Sequence, residues 1–159
     1  PQSKTVVTRI DVPQIYEAHF LRVALESEVC RRLASEGDPG VVTRARSIIR
    51  MQEAVADDPD QMAIFQELDE LFHQTLFVGL NRGGLHQLVR ERSGHLERVR
   101  RLHLPEQGKV LNILAGHRAI VEGIASGDEN QAVKAIRDHL SQTVARVEAL
   151  RQEFPHYFA

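Results

Sequence analysis

The chain has no tryptophan, a single cysteine and few aromatic residues of any kind, 5% in all. The lone Cys30 cannot close an internal disulfide, so nothing calls for an oxidising compartment. Long apolar runs are also missing. None reaches the roughly 18 residues a membrane span requires, and the N-terminus lacks the charged-then-apolar order of a secretory signal. Nor is there an excess of charge of one sign. A formal net charge of -2 gives the chain no global field that would attract nucleic acid. These absences lead us to expect a cytoplasmic protein without membrane contact, and any DNA binding would have to come from outside these residues. A start methionine is missing as well, and Pro1 in its place points to a fragment whose upstream part has been left out.

What is present is the composition of an ordinary helical protein, rich in Leu, Val, Ala, Glu and Arg. At 159 residues it is about one domain long, enough to bury roughly two thirds of the surface of the unfolded chain around one core. Residues 1–10 are rich in β-branched side chains and read as a short strand or extended arm. From Val12 the period becomes helical. Breaks at Gly37-Asp38-Pro39-Gly40, Asp57-Asp58-Pro59-Asp60, Asn81-Arg82-Gly83-Gly84, Leu104-Pro105-Glu106 and Ser126-Gly127-Asp128 divide the remainder into about six helices. At the last break Gly127 suits a left-handed helix end, and Asp128 with Gln131 reads as a capping box. Short connections between long helices predict an antiparallel, all-α bundle.

The polar residues that interrupt the apolar stripes carry the information. Arg22 falls within the stripe of Ile15, Ala18, Leu25 and Val29. Asp69 and His73, four apart, share a face with Met62, Phe65, Phe72, Leu76 and Leu80. His117 lies amid Ile113, Leu114, Ile120 and Val121, and His139 between Ala132, Ile136, Leu140 and Thr143. Four metal-competent side chains from three helices thus point into one interior.

A lone histidine in an apolar stripe is more often a hydrogen-bonded core residue than a ligand. Three inward imidazoles with a carboxylate are a different matter, because burying them unpartnered is costly and a shared cation removes the penalty. Such a set suits a divalent ion, Zn²⁺ or Ni²⁺ foremost, with Mn²⁺ or Co²⁺ as alternatives. The lack of thiolates argues against a closed structural zinc site. Arg22 has two readings, as the ion-pair partner of Glu26 one turn on or as the grip on an anionic ligand. The run Arg90, Arg92, Arg98, Arg100 and Arg101, mixed with Glu91 and Glu97, reads as a solvated face with one or two members turned inward.

Taken together, Phe65-x-x-x-Asp69-x-x-Phe72-His73, Gly116-His117-Arg118-Ala119-Ile120, Gly127-Asp128 and Asp138-His139-Leu140 resemble the FadR C-terminal domain (FCD) of GntR-family transcription regulators. Arg22-Val23-Ala24-Leu25-Glu26 and the segment from His95 to Leu102 extend the likeness over nearly the whole chain, and the helix count is similar to the shorter, VanR-like subgroup. The resemblance implies Asp69, His73, His117 and His139 as metal ligands, the set the stripes nominate. Arg22, His95 and Arg98 are effector-binding candidates by position. It further implies a small organic-acid effector beside the metal, a homodimer, and DNA binding through an N-terminal winged-helix domain absent from this chain. Residues 1–11 would then be the remnant of its wing and linker, and residues 12–159 the FCD effector domain. Gly116 departs from the glutamate common in the family, which leaves open what orients His117.

The expected function is therefore allosteric and not enzymatic: metal and effector binding that controls an operator-binding domain. A metal-dependent hydrolase is the first alternative, disfavoured because the stripes offer no evident inward general base. A direct metal sensor is the second, with affinity falling as the histidines protonate.

Overall fold

The path of the chain follows from where each helix finds its caps. In the computed structural model, which describes residues 8–104 and 108–159, α1 spans Val12–Glu36 and opens on Asp11, whose side chain accepts a bond from the Gln14 amide. It ends at Gly37, and Asp38 caps α2, Pro39–Val55. A 3-10 turn at Pro59–Gln61 leads into α3, Met62–Gly79. Then follow α4, Gly83–Arg92, and α5, Gly94–His103. Next come α6, Lys109–Ala125, and α7, Glu129–Val144, with α8, Val147–Glu153, and a 3-10 turn at Pro155–Tyr157 closing the chain. The architecture among the described residues is all-α, as expected.

Two of the expected helices divide further. The segment after Gly84 breaks at Ser93, which is buried and turns its hydroxyl back onto the Val89 carbonyl at 2.7 Å, so α4 stops before it and α5 starts at Gly94. The C-terminal segment breaks at Ala145 and Arg146, between α7 and α8. The break around Pro105 and Glu106 lies outside the described residues, as do residues 1–7 of the expected strand. What the structure shows of that strand is one isolated parallel bridge. Ile10 donates to the Tyr157 carbonyl at 2.7 Å, and Ala159 donates to the Ile10 carbonyl at 2.9 Å.

Helix α1 packs along α7, and also meets α3, α4, α5 and α6, so it forms the spine of the bundle. Helices α6 and α7 pair through the short turn at Ser126-Gly127-Asp128, and α2 pairs with α3. The main core unites Leu33, Phe65, Phe72, Phe77, Ile120 and Ile136. A second, smaller core joins Ile10, Ile15, Leu96, Val99, Leu150 and Phe158, and so ties the entry and exit of the chain to one face of α5.

At the α6–α7 turn, Gly127 takes φ 72°, the left-handed conformation expected there. Asp128 accepts from the Gln131 amide at 2.9 Å, but the reciprocal arm of the capping box is replaced: the Gln131 side chain accepts from Ser126 Oγ at 3.5 Å. Asp128→Ala should therefore cost about 1 kcal/mol. The check is a lower urea midpoint with an unchanged slope, and no change in midpoint would show that the cap contributes nothing.

Candidate metal centre

The periodicity that makes α3 amphipathic places Asp69 and His73 one turn apart on its buried face, while α6 supplies His117 and α7 supplies His139. All four are buried, with relative exposures of 1%, 1%, 0% and 8% in that order. One donor atom from each lies within 4.8 Å of the others. The ring centroids of His73, His117 and His139 stand 4.7 to 5.5 Å apart. The four residues the sequence nominated are thus brought together around one point.

The bonding of these groups shows which atoms face that point. His73 Nδ1 lies 2.6 Å from Glu26 Oε2, and His117 Nδ1 lies 2.8 Å from Gln52 Oε1. A carboxylate and an amide oxygen are acceptors, so in each neutral imidazole the proton sits on Nδ1 and the lone pair on Nε2. His73 Nε2, His117 Nε2, His139 Nδ1 and Asp69 Oδ1 are all buried without a hydrogen-bond partner. Each residue of the cluster thus keeps one buried polar atom without a hydrogen bond, and His117 Nε2 stands 3.3 Å from Asp69 Oδ1. A donor set of three imidazoles and one carboxylate, buried at this spacing, fits a divalent cation.

A shell of partners holds the set in place. Arg100 on α5 donates to Asp69 Oδ2, which leaves Oδ1 free for the centre, and its other arm meets Glu97 at 2.6 Å. Arg22 donates to Glu26 Oε1 at 2.6 Å, so guanidinium, carboxylate and imidazole form one buried chain ending at His73. Phe72 stacks on the His117 ring, with centroids 3.8 Å apart. Gly116 is required for a steric reason: a Cβ there would lie 2.5 Å from His139 Nδ1, so the missing side chain admits that ring. Gln52 supplies the orienting group for His117. The α2 stripe Val41, Ala45, Ile48, Gln52 carries it inward, and the same reading of interrupted stripes applied to that helix would have found it.

Electrostatics keep the ligands in the form a metal requires. Burial pushes the His117 and His139 pKa values well below the ordinary 6.5, reinforced by neighbouring imidazoles and by Arg100 and Arg22. Burial alone would raise Glu26, yet Arg22 and His73 outweigh it and hold the carboxyl ionised. Burial, with Arg22 nearby, brings Arg100 down to about 9, still protonated at neutral pH.

Cavities flank the cluster. A small one is lined by His19, Arg22, Asp69, Arg100 and His139. A larger one, about 610 Å³, is lined by Arg22, Glu26, Glu70, His73 and His86. Arg22, Gln66 and Glu97 belong to both walls. Arg22 is paired with Glu26, the first of its two expected roles, and also lines both cavities. His95 and Arg98, expected beside an effector, line neither cavity. His95 Nδ1 accepts from the Asp11 amide at 3.1 Å, and Arg98 donates to the Thr8 carbonyl at 2.6 Å. The reason is helical geometry. Arg100 lies about 200° around α5 from Arg98, so when one faces the site the other faces away. A second correction concerns acids. Glu26 and Glu97 both face inward, whereas the stripes offered no inward carboxylate besides Asp69.

An all-helical bundle with this ligand set on three helices defines a class of domain, and comparison with known proteins identifies it. The FCD domain family model matches residues 14–142, and the chain belongs to that family. Over 159 residues the chain is 34% identical to an uncharacterized HTH-type transcriptional regulator in an unstable DNA locus of Streptomyces ambofaciens, covering 66% of its length. It is 25% identical over 159 residues to the HTH-type transcriptional repressor RspR of Escherichia coli strain K12, covering 69%. The chain therefore spans about two thirds of these relatives. No helix among the described residues is long and apolar enough to cross a membrane.

Two expectations follow. Gln52→Leu removes the acceptor for His117 Nδ1 without changing the fold and should weaken zinc binding about 10- to 100-fold in calorimetry; unchanged affinity would remove Gln52 from the site. Because His117 and His139 are held neutral, the unfolded chain binds more protons than the folded one below pH 6.5. In chelator, stability should be complete above that pH and fall progressively below it, and a stability flat from pH 7.5 to 5 would contradict the burial of neutral rings.

Proposed function

We propose that this chain is the effector-binding domain of a helix-turn-helix transcription regulator. Asp69, His73, His117 and His139 hold one divalent metal ion, and a small organic acid binds beside it. The observation that carries the reading is the buried cluster of Asp69, His73, His117 and His139, each offering a ligand atom within 4.8 Å of the others and each keeping a buried side-chain nitrogen or oxygen without a hydrogen bond. Zinc or nickel suits the three imidazoles and one carboxylate, manganese or cobalt less closely. When bound, the ion supplies positive charge and open coordination positions.

The residues of the chain do the rest. Arg22 and Arg100 are outnumbered by Glu26, Asp69 and Glu97, and a divalent ion turns this inner set to a small excess of positive charge. A carboxylate ligand neutralises it, and Arg22, on the wall of both cavities, is placed to pair with it. Gln66 offers an amide at the same wall. Linkage does the signalling: a ligand that prefers one arrangement of the bundle changes the affinity of a DNA-reading domain attached to it. That domain would precede residues 12–159, with residues 1–11 as its linker, in a cytoplasmic homodimer. The HTH-type names of the relatives support this reading.

A hydrolase reading gains one group from the structure, Glu97, whose pKa is raised by burial. Its carboxylate is nevertheless held by Arg100, and the relatives are named as regulators. A direct metal sensor would use the same four ligands and need no acid.

Isothermal calorimetry of a panel of small dicarboxylic and hydroxy acids separates these readings. At least one acid should bind zinc-loaded protein and lose about tenfold or more in affinity after chelation or in Asp69→Ala. Binding that is equally tight with and without metal would refute the metal-assisted site, and no acid binding with reversible zinc binding would leave the metal as the signal.

A further inference from the structure

Helix α5 has two working faces. On one, Glu97 and Arg100 line the small cavity, Glu97 and Arg101 line the large one, and Arg100 holds Asp69 Oδ2. On the other, Val99 is buried in the second core with Ile10 and Phe158, and Leu96 sits at the boundary, in that core and on the wall of the small cavity. From that side His95 accepts from the Asp11 amide at 3.1 Å and Arg98 donates to the Thr8 carbonyl at 2.6 Å. The entering chain is further pinned by the paired bonds of Ile10 to Tyr157 and of Ala159 to Ile10. Helix α1 also bonds a nominated metal ligand, Glu26 to His73, and its Gln14 bonds Asp11, but it does so as the direct continuation of residues 8–11, whereas α5 grips them from 84 and 90 residues away in sequence. Ser93, whose hydroxyl bonds the Val89 carbonyl, separates α5 from α4.

We propose that α5 carries the state of the metal site to the point where the chain enters the domain, with Arg100 as the input contact and His95 and Arg98 as the output contacts. The inference rests on the metal reading above. Fixing Asp69 by coordination through Oδ1 fixes the carboxylate that Arg100 holds through Oδ2. With Arg100 held, α5 is held, and with it the seat of Thr8 to Asp11. His95 and Arg98 thereby keep a place in the function, as positioning residues for the entering chain and not as contacts to an effector. A rigid-body shift of a helix packed between two cores is a known means of joining distant sites, and such coupling is reciprocal.

The test uses this chain with zinc alone as the probe. Calorimetry measures zinc binding, and hydrogen–deuterium exchange follows the amides of Ile10 and Ala159. Saturating zinc should slow both by about fivefold or more. In Arg100→Gln at saturating zinc, the amides near His117 and His139 should still respond while Ile10 and Ala159 no longer do. By reciprocity, Arg98→Ala, which touches neither cavity, should weaken zinc binding about three- to tenfold. Arg118→Ala, whose pairing with Glu53 is exposed, should leave zinc binding unchanged. Zinc bound with no response at Ile10, an undiminished response in Arg100→Gln, or wild-type zinc affinity in Arg98→Ala would each overturn the coupling while leaving the metal site intact. Failure of the wild-type chain to bind zinc would overturn both.

Discussion

Burying an imidazole nitrogen or a carboxylate oxygen without a hydrogen bond costs a sizeable fraction of a domain's net stability, and this chain does so at each of four clustered residues. The surroundings are organised to keep those atoms bare. Glu26 and Gln52 take the Nδ1 protons of His73 and His117, Arg100 occupies the outer oxygen of Asp69, and Gly116 withholds a side chain so that the His139 ring can approach. Each of these contacts satisfies one side of a ligand and leaves the other side free. A core built only for packing would have filled the centre with leucine.

The charges in the interior follow the same logic. Buried ion pairs contribute little to stability by themselves, since desolvation offsets the attraction. The Arg22–Glu26–His73 chain is better understood as a means of fixing orientation and proton position at a ligand. Arg100 does the same for Asp69, and it does so from a helix whose opposite face holds the N-terminal segment. Site and chain entry are therefore one or two contacts apart, although His73 and Thr8 are distant in sequence.

Much of this was legible in the residues. The clustering of Asp69, His73, His117 and His139 fell out of helical periodicity because each interrupts an otherwise apolar stripe, and the all-α bundle followed from the spacing of Pro, Gly and Asp breaks. The resemblance to the FCD family pointed to the same four side chains. Other features were not legible, for physical reasons. The break at Ser93 depends on a hydroxyl turning back on its own helix, which periodicity does not register. Arg98 and Arg100 both sit in a run of arginines, and only the rotation of α5 against α3 decides which reaches Asp69. Gln52 went unnoticed because amides in a stripe are common, and its importance appears only when its partner is a ligand.

The most direct measurement is X-ray absorption at the zinc edge on the loaded chain. One ion per chain is expected, with three imidazole nitrogens and one carboxylate oxygen at about 2.0 to 2.2 Å and any remaining position filled by a light atom. A first shell lacking histidine scattering, or one unaltered by replacing Asp69, His73, His117 and His139, would place the ion elsewhere and contradict the central site.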